Sequence, residues 1–364
     1  MVNTSADKLR ILMVGPDRSV HGGISAVVNS YYEAGLADMT DLRYIGTMKE
    51  GSKPYKLLVA LRAYFQFRRE LAWADIVHVH VASDNSFRRK SVFIRLAHKL
   101  GKRIIIHQHG GDFIRYHDEQ VSAVTRAKMD EILNMADYLL VLGQRWKEFF
   151  SSIIPEARIR ILFNGIKTTR DEAGRYADAA HDMNKILFLG RICADKGLNE
   201  LIDAVTELRL DYPELELMLG GCFEEKTDAD RKLRARIESN SDFIHHLGWI
   251  DGGKKEKTLL ECGIYALPSY YEGFPVSVPE AMYHGCITVA TDVGAIPEII
   301  EDHETGLIVK PRDVSSLGAA VRQLLDGTCD TDNMRKKAHH EVASKYSMQE
   351  ICRSLKSLYD SLAC

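Results

Sequence analysis

Two carboxylates lie eight positions apart in a loop rich in glycine and proline at residues 269–280. Glu272 lies within the loop, and Glu280 falls in the first turn of a predicted helix that Pro279 helps to start. Carboxylates accept hydrogen bonds from hydroxyl groups, which suits a sugar or ribose ligand. Ser277 and Glu280 also match a helix capping box, which gives Glu280 a structural alternative. Glu272 has no such alternative.

Two cations follow Gly190, which ends a predicted strand. Arg191 is the next residue, and Lys196 with Gly197 precedes the next predicted helix. Fixed cations at a strand end suit a diphosphate, including the charge that develops when it leaves. A pair of solvated side chains is the alternative.

Gly22 and Gly23 follow the first predicted strand and lead into a helix. Glycines let backbone approach a ligand closely, and a helix N-terminus favours an anion. The segment does not have the G-x-G-x-x-G spacing of dinucleotide-binding folds, which argues against an oxidoreductase. An ordinary turn between strand and helix is the alternative.

Histidines recur at alternate positions of two predicted strands. His107 and His109 share one strand face, and so do His78 and His80. A metal site would need a third ligand at recognisable spacing, and the sequence offers none. A strand-end histidine that contacts substrate is therefore the favoured interpretation.

The elements that must position these residues alternate between strand and helix. The first series has predicted strands at residues 10–14, 76–81, 103–107 and 138–142. After a polar stretch at 167–184, a second series has predicted strands at residues 185–189, 216–220, 242–247, 262–267, 287–290 and 306–309. This pattern predicts two doubly wound, Rossmann-like domains. Ligands bind beyond the carboxyl ends of such strands, where all four segments lie.

Composition excludes several classes of protein. The chain has 364 residues, of which 45 % are hydrophobic and 27 % charged, as in ordinary globular domains. Seven scattered cysteines, none in a C-x-x-C pair, favour neither a disulfide framework nor a zinc site. No apolar run approaches membrane-spanning length, and the net charge of −3 gives no general attraction for nucleic acid. We expect a cytoplasmic protein.

Charge is concentrated in one segment. Residues 49–103 hold thirteen bases and four acids, a net charge of +9, interleaved with apolar and aromatic residues. Two amphipathic helices fit this pattern. They either pack on the core with solvated outer faces or dock on an anionic membrane, at the inner face of the cell membrane.

The whole pattern resembles the retaining glycosyltransferases of family 4, which have the GT-B fold. The match runs in the family's order over about residues 10–310, in these motifs: Gly22-Gly23, His109-Gly110-Gly111, Asn164-Gly165, Gly190-Arg191, Lys196-Gly197, Leu247-Gly248-Trp249, Pro268-Ser269, Glu272-Gly273-Phe274, Glu280-Ala281, Gly294-Ala295-Ile296-Pro297-Glu298 and Thr305-Gly306-Leu307. The resemblance implies an α/β chain of two Rossmann-like domains with an interdomain cleft. Residues 1–165 would form the acceptor side and 185–346 the nucleotide-sugar side, with a helix in 347–364 returning to the first domain.

The resemblance also implies roles for individual residues. Arg191 and Lys196 would bind the donor diphosphate and stabilise it as it leaves, while Glu280 would bind the ribose and Glu272 the transferred sugar. His109 would contact the sugar near its reacting carbon. Further contacts to the nucleotide sugar would come from Gly22, Gly23, Gly190, Gly273, Phe274, Pro275, Val276 and, near the base, Trp249. Many relatives have glycine at position 275, and proline has no N–H to donate.

The implied reaction moves a hexosyl unit, with retention, from a UDP-hexose or else GDP-mannose. The acceptor would be a glycan or a lipid-linked saccharide in surface polysaccharide synthesis. Arg191 and Lys196 would replace a metal, so no metal or other cofactor is expected. A 2-epimerase, another GT-B enzyme, and a catalytically idle partner that binds nucleotide sugar are the alternatives.

Overall fold

The computed structural model describes residues 8–20, 22–168 and 179–363. Contacts among its elements divide the chain into two units, Met1–Lys167 with Met348–Cys364, and Thr168–Ser347. Most of the predicted polar stretch at 167–184 lies outside the described residues, and a strand already begins at Asp182. No described helix combines the length and the apolar character needed to cross a bilayer.

The first unit contains a sheet of six parallel strands in the order β2-β1-β3-β4-β5-β6. Its strands are β1 Arg10–Gly15, β2 Asp41–Gly46, β3 Ile76–Val81, β4 Arg103–Gln108, β5 Tyr138–Val141 and β6 Ile159–Ile161. The predicted strands at β1, β3, β4 and β5 are confirmed, whereas β2 and β6 were not predicted. Strand β3 is buried along its whole length, as expected where helices cover both faces of a parallel sheet.

Helices cover both faces of this sheet. They are α1 Gly23–Glu33, α2 Leu36–Met39, α3 Lys53–Glu70, α4 Asn85–Lys99, α5 Phe113–Arg115, α6 Ala123–Leu133, α7 Gln144–Ser151 and the C-terminal helix Met348–Ala363. One core contains side chains of α3, α4, α6 and α7. The other contains side chains of α1, α2 and the C-terminal helix, including Tyr359.

The second unit has its own six-stranded parallel sheet, in the order β12-β11-β10-β7-β8-β9. Its strands are β7 Asp182–Leu189, β8 Glu216–Gly220, β9 Ile244–Gly248, β10 Cys262–Leu267, β11 Ile287–Thr291 and β12 Leu307–Val309. All six were predicted, with small shifts at their ends.

Seven helices accompany this sheet in the described part of the unit. They are α8 Leu198–Leu208, α9 Asp228–Ser239, α10 Gly252–Glu261, α11 Ser277–Tyr283, α12 Ile296–Ile299, α13 Val314–Leu325 and α14 Thr331–Lys345. Helix α14 was not predicted. Two doubly wound α/β units confirm the predicted fold class.

Candidate active site

The strand order of the second sheet brings the predicted cations and carboxylates to one edge. Strands β7 and β10 are hydrogen-bonded neighbours, but the chain continues from β7 to one side and from β10 to the other. The connections that leave their carboxyl ends therefore diverge, and open α/β sheets bind ligands in the crevice at this point. Arg191 and Lys196 follow β7, and Glu272 follows β10.

Lys196 and Glu272 form an ion pair at this switch point. Lys196 Nζ donates a hydrogen bond to Glu272 Oε1 at 2.6 Å, and the two side chains are only 13 % and 12 % exposed. Gly197 has φ +67°, and a Cβ on it would overlap the carbonyl oxygen of Pro268. Glycine at this position therefore lets the turn after β7 lie directly against the loop after β10.

Arg191 has a partner that sequence reasoning missed. Its Nη1 donates to Glu224 Oε2, and Glu224 also pairs with Lys226. Burial alone would raise the pKa of Glu224, but the hydrogen bond from Lys226 and the charge of Arg191 hold that pKa below its ordinary value. Glu224 is therefore an ionised carboxylate paired with Arg191, one of the two cations predicted from the sequence to bind a diphosphate.

Glu280 pairs with a lysine that sequence reasoning also missed. Lys255 Nζ, on α10, donates to Glu280 Oε1 at 2.7 Å. The predicted capping box of Ser277 and Glu280 is wrong, because α11 has Val276 as its N-cap residue without a side-chain cap. Ser277 Oγ instead accepts a hydrogen bond from Tyr265 at 2.7 Å.

Tyr265 shows that both carboxylates lie near the end of β10. Burial raises the pKa of its hydroxyl, and the charges of Glu272 and Glu280 act in the same direction. The two glutamates that the sequence singled out therefore approach one buried phenol, while Lys196 and Lys255 neutralise them.

The loop that carries Glu272 is fixed from one side. Ala295 donates its backbone N–H to Gly273 O at 2.9 Å, and Gly294 has φ +59° where a Cβ would overlap the Glu272 carbonyl oxygen. Phe274 is buried against Tyr346, with ring centroids 5.7 Å apart.

The other residues of the second unit that were predicted to contact the nucleotide sugar include Trp249, Pro275, Val276 and Gly190. Trp249 is exposed and follows β9 and Gly248, which has φ +68°. Pro275 is buried and Val276 is half-buried. Gly190 donates its backbone N–H to Gly220 O at 3.0 Å, which fixes the start of the segment that carries Arg191.

In the first unit, β1 and β3 are the neighbours at which the strand order reverses. Gly22 is the N-cap residue of α1, with no side-chain cap, and a Cβ on Gly22 or Gly23 would meet nothing within 4 Å. The backbone here is therefore open to a ligand. His21, which precedes these glycines, lies outside the described residues.

His109 follows β4 at the carboxyl edge of the same sheet. Its backbone N–H donates to Val81 O at 2.8 Å, and its Nε2 lies 2.9 Å from His80 Nδ1. Burial, with smaller effects of His78 and Lys90, lowers the pKa of His109 to about 3. The imidazole is therefore neutral at physiological pH and suits hydrogen bonding to a sugar rather than charge stabilisation.

The loop of His109 is interlocked with the turn after β3. A Cβ on Gly110 would lie 2.6 Å from Ser83 N, and the side chains of Ser83 and Asp112 are hydrogen-bonded at 2.5 Å. Lys90 is buried and donates to Ser86 Oγ at 2.8 Å, and burial, assisted by Arg89, lowers its pKa to about 7. The turn thus positions the segment that begins with His109.

The fold brings together three histidines whose spacing in the sequence did not indicate a common cluster. Ring nitrogens of His78, His80 and His107 lie within 4.8 Å of one another, and all three side chains are buried. Their rings are stacked or tilted, with His78 and His80 only 20° from parallel at 4.5 Å. Stacked rings do not aim their lone pairs at a common point, so the cluster fits a support for His109 better than a metal site.

Family models match most of the chain in two consecutive parts. Residues 29–170 match the model for Glycosyltransferase Family 4, and residues 170–341 match that for Glycosyl transferases group 1. A glycogen synthase of Mycobacterium tuberculosis is 27 % identical over 56 % of this chain and 48 % of its own length. The chain thus spans about half of that relative.

Other similar proteins are covered more fully. The amylovoran biosynthesis glycosyltransferase AmsK of Erwinia amylovora is 25 % identical over 87 % of this chain and 79 % of its own length. The solved structure of a sucrose-phosphate synthase from Thermosynechococcus elongatus matches with a TM-score of 0.79 at 19 % identity, covering 98 % of this chain and 99 % of that one.

Anabaena HepE in complex with UDP-glucose matches with a TM-score of 0.73 at 15 % identity, over 96 % of this chain and 99 % of that one. These structural matches establish the fold, and the two family models establish the relationship in sequence. The chain belongs to the group 1 glycosyltransferases of family 4, with the GT-B fold.

Proposed function

We propose that this protein transfers a hexosyl unit from a nucleoside-diphosphate sugar to a glycan or a lipid-linked saccharide, with retention of anomeric configuration. The observation that carries the proposal is the Lys196–Glu272 pair at the switch point of the second sheet, with Arg191 on the same strand end. A site with two cations and two carboxylates suits an anionic, hydroxylated ligand.

The ion pairs define what the donor would displace. Diphosphate oxygens would take the place of Glu272 on Lys196 and of Glu224 on Arg191, so each cation would exchange one anion for another. Glu272 would then accept a hydrogen bond from a hydroxyl of the sugar, and Glu280 one from the ribose. The exchange leaves each cation paired with an anion and gives the Glu272 carboxylate a hydroxyl donor in place of Lys196, which lowers the cost of burying these charges.

Transfer would break the bond between the sugar's anomeric carbon and the diphosphate oxygen and form one to the acceptor oxygen on the same face. The leaving phosphate would take the acceptor proton. Negative charge grows on the diphosphate as this bond breaks, and preorganised cations stabilise it. We expect Arg191 and Lys196 to supply the positive charge that a metal supplies in other transferases, so EDTA should leave the rate unchanged.

We base the proposed classes of donor and acceptor on the similar proteins. HepE was crystallised with UDP-glucose, and AmsK is a glycosyltransferase of amylovoran biosynthesis. We therefore choose a UDP-hexose as donor, with GDP-mannose as second choice, and a saccharide of surface polysaccharide synthesis as acceptor. A lipid-linked acceptor would place the enzyme at the inner face of the cell membrane, with exposed bases of residues 49–103 on its anionic lipid.

The experiment combines ligand screening with product analysis. UDP-, GDP- and ADP-hexoses are compared by thermal shift, since a ligand that binds only the folded state raises the Tm. The stabilising donor is then incubated with and without saccharide acceptors, and the products are analysed by NMR. We expect release of nucleoside diphosphate only with acceptor, and an unchanged anomeric configuration in the product.

Two other outcomes would reject the proposal. Conversion of the donor sugar without acceptor would indicate an epimerase, and binding of UDP without turnover would indicate an idle partner. Lys196→Ala should reduce the thermal shift by the donor, whereas Lys257→Ala should not, because Lys257 pairs with Glu261 on the outside of α10.

A further inference from the structure

The basic segment at residues 49–103 divides into two helices that pack differently. Helix α4 buries Phe87, Phe93 and Ile94 in the core of the first unit, so its aromatic residues are ordinary core residues. Helix α3 has eighteen residues and buries only Ala63 and Phe67. Most of the surface of α3 therefore faces away from the core.

The outer face of α3, formed by Leu57, Leu58, Leu61 and Phe65, is apolar. These side chains are 49–65 % exposed. At about 100° per residue they lie on the side of the helix opposite Ala63 and Phe67. Single exposed apolar residues are common, but a contiguous patch on one helix is typical of an interaction surface.

Positive charge surrounds the outer face of α3. The helix contains five bases and one acid, Glu70, whose carboxylate lies 3.8 Å from Arg43 and 3.8 Å from Arg69. Five exposed bases are spread along the helix: Lys53, Lys56, Arg62, Arg68 and Arg69. An apolar face flanked by bases is typical of a helix that lies in the headgroup region of an anionic membrane.

We propose that α3 is the membrane-docking element of this protein, with the outer face of α3 inserted among acyl chains and its bases on anionic headgroups. The choice of lipid as occupant rests on charge complementarity. At about 100° per residue, every base of α3 except Lys56 lies beside or within the apolar stripe, and anionic headgroups match this arrangement. The bases would attract the protein to the surface, and the apolar side chains would hold it there.

The topology connects this surface with the acceptor side of the first unit. Helix α3 begins shortly after the carboxyl end of β2, so its N-terminal turn lies at the sheet edge that also carries Gly22, Gly23 and His109. A lipid-linked acceptor would therefore reach this edge from the docked membrane. This consequence rests on the proposed function, whereas membrane docking itself does not.

The test uses flotation of the full chain with vesicles of phosphatidylcholine alone or mixed with phosphatidylglycerol. We expect binding to the anionic vesicles only, weakening as salt is raised. The exposed double variant L61E/F65E should bind at least about tenfold more weakly. R68E/R69E should bind the anionic vesicles about fivefold more weakly for each positive charge removed. L210E is the matched control, because Leu210 is 87 % exposed in the second unit, and it should bind like the wild type.

Three outcomes would overturn the proposal. Equal recovery on neutral and anionic vesicles would show that charge does not contribute to binding. Unchanged binding of L61E/F65E would show that the outer face of α3 does not contribute. A dimer in solution that L61E/F65E separates would make this face a contact between copies. Flotation needs neither donor nor turnover, so its failure would leave transfer to a water-soluble acceptor untouched.

Discussion

Removing the charge of Glu224 is expected to strengthen donor binding, although the residue lies beside the proposed diphosphate site. In the absence of donor, Glu224 holds Arg191, and a diphosphate would have to displace it. Glu224→Gln keeps the shape of the side chain and its capacity to accept a hydrogen bond, but removes the competing negative charge.

The exposure of the pair limits the size of this effect. The side chain of Arg191 is 59 % exposed and that of Glu224 is 23 % exposed, so water screens their attraction. Ion pairs at such sites contribute about 0.2–1 kcal/mol. The Kd of UDP should therefore fall by about 1.4- to fivefold in Glu224→Gln.

Titration calorimetry with UDP measures this difference directly. The neighbouring variant Glu225→Gln is the control, because it removes a carboxylate that pairs with Arg234 and not with Arg191. The gain should shrink as ionic strength rises. Weaker UDP binding by Glu224→Gln would refute the reasoning, since it would mean that Glu224 orients Arg191 for the ligand rather than competing with it.

Other variants test the remaining steps. Lys196→Ala should lower kcat at least about 100-fold, measured with saturating donor, because it removes a fixed charge on the leaving group. Gly197→Ala should lower the Tm, because its φ of +67° and its lack of space disfavour a Cβ, whereas Gly253→Ala, with nothing near its Cβ, should not. His80→Phe should keep the ring stack but lose the bond to His109, so kcat should fall about 10- to 100-fold with the Kd of UDP unchanged.

Sequence periodicity predicted the buried strands and missed the two edge strands of the first sheet. Strand β2 buries only Ile45, and β6 has three residues at the end of its sheet, so neither gives a strong apolar pattern. Helix α14 was missed for a similar reason, since it buries only three of its fifteen residues. A pattern based on burial detects an element only where burial is extensive.

The candidate site was predicted in its residues but not in its contacts. Lys196 and Glu272 were each expected to follow a strand, at the carboxyl edge of the same sheet. They are 76 residues apart in the sequence, and their ion pair forms because β7 and β10 are neighbours in the sheet. The spacing of Ser277 and Glu280 predicted a capping box that does not form. Tyr265, from the strand before, hydrogen-bonds Ser277, and no local spacing indicates this.

The partners that the sequence did not reveal share one physical role. Arg191 and Glu280 both carry charges that a donor would need, and each is already paired, with Glu224 and Lys255. The Glu280 side chain is only 21 % exposed, so its charge would be costly to leave unpaired in the donor-free protein, whereas the more exposed Arg191 gains less from its partner. A ligand motif identifies the residues that contact the donor, whereas the counter-charges come from whichever elements the topology places beside them. We therefore expect Glu224 and Lys255 to influence the affinity of the proposed site together with the residues of the motif.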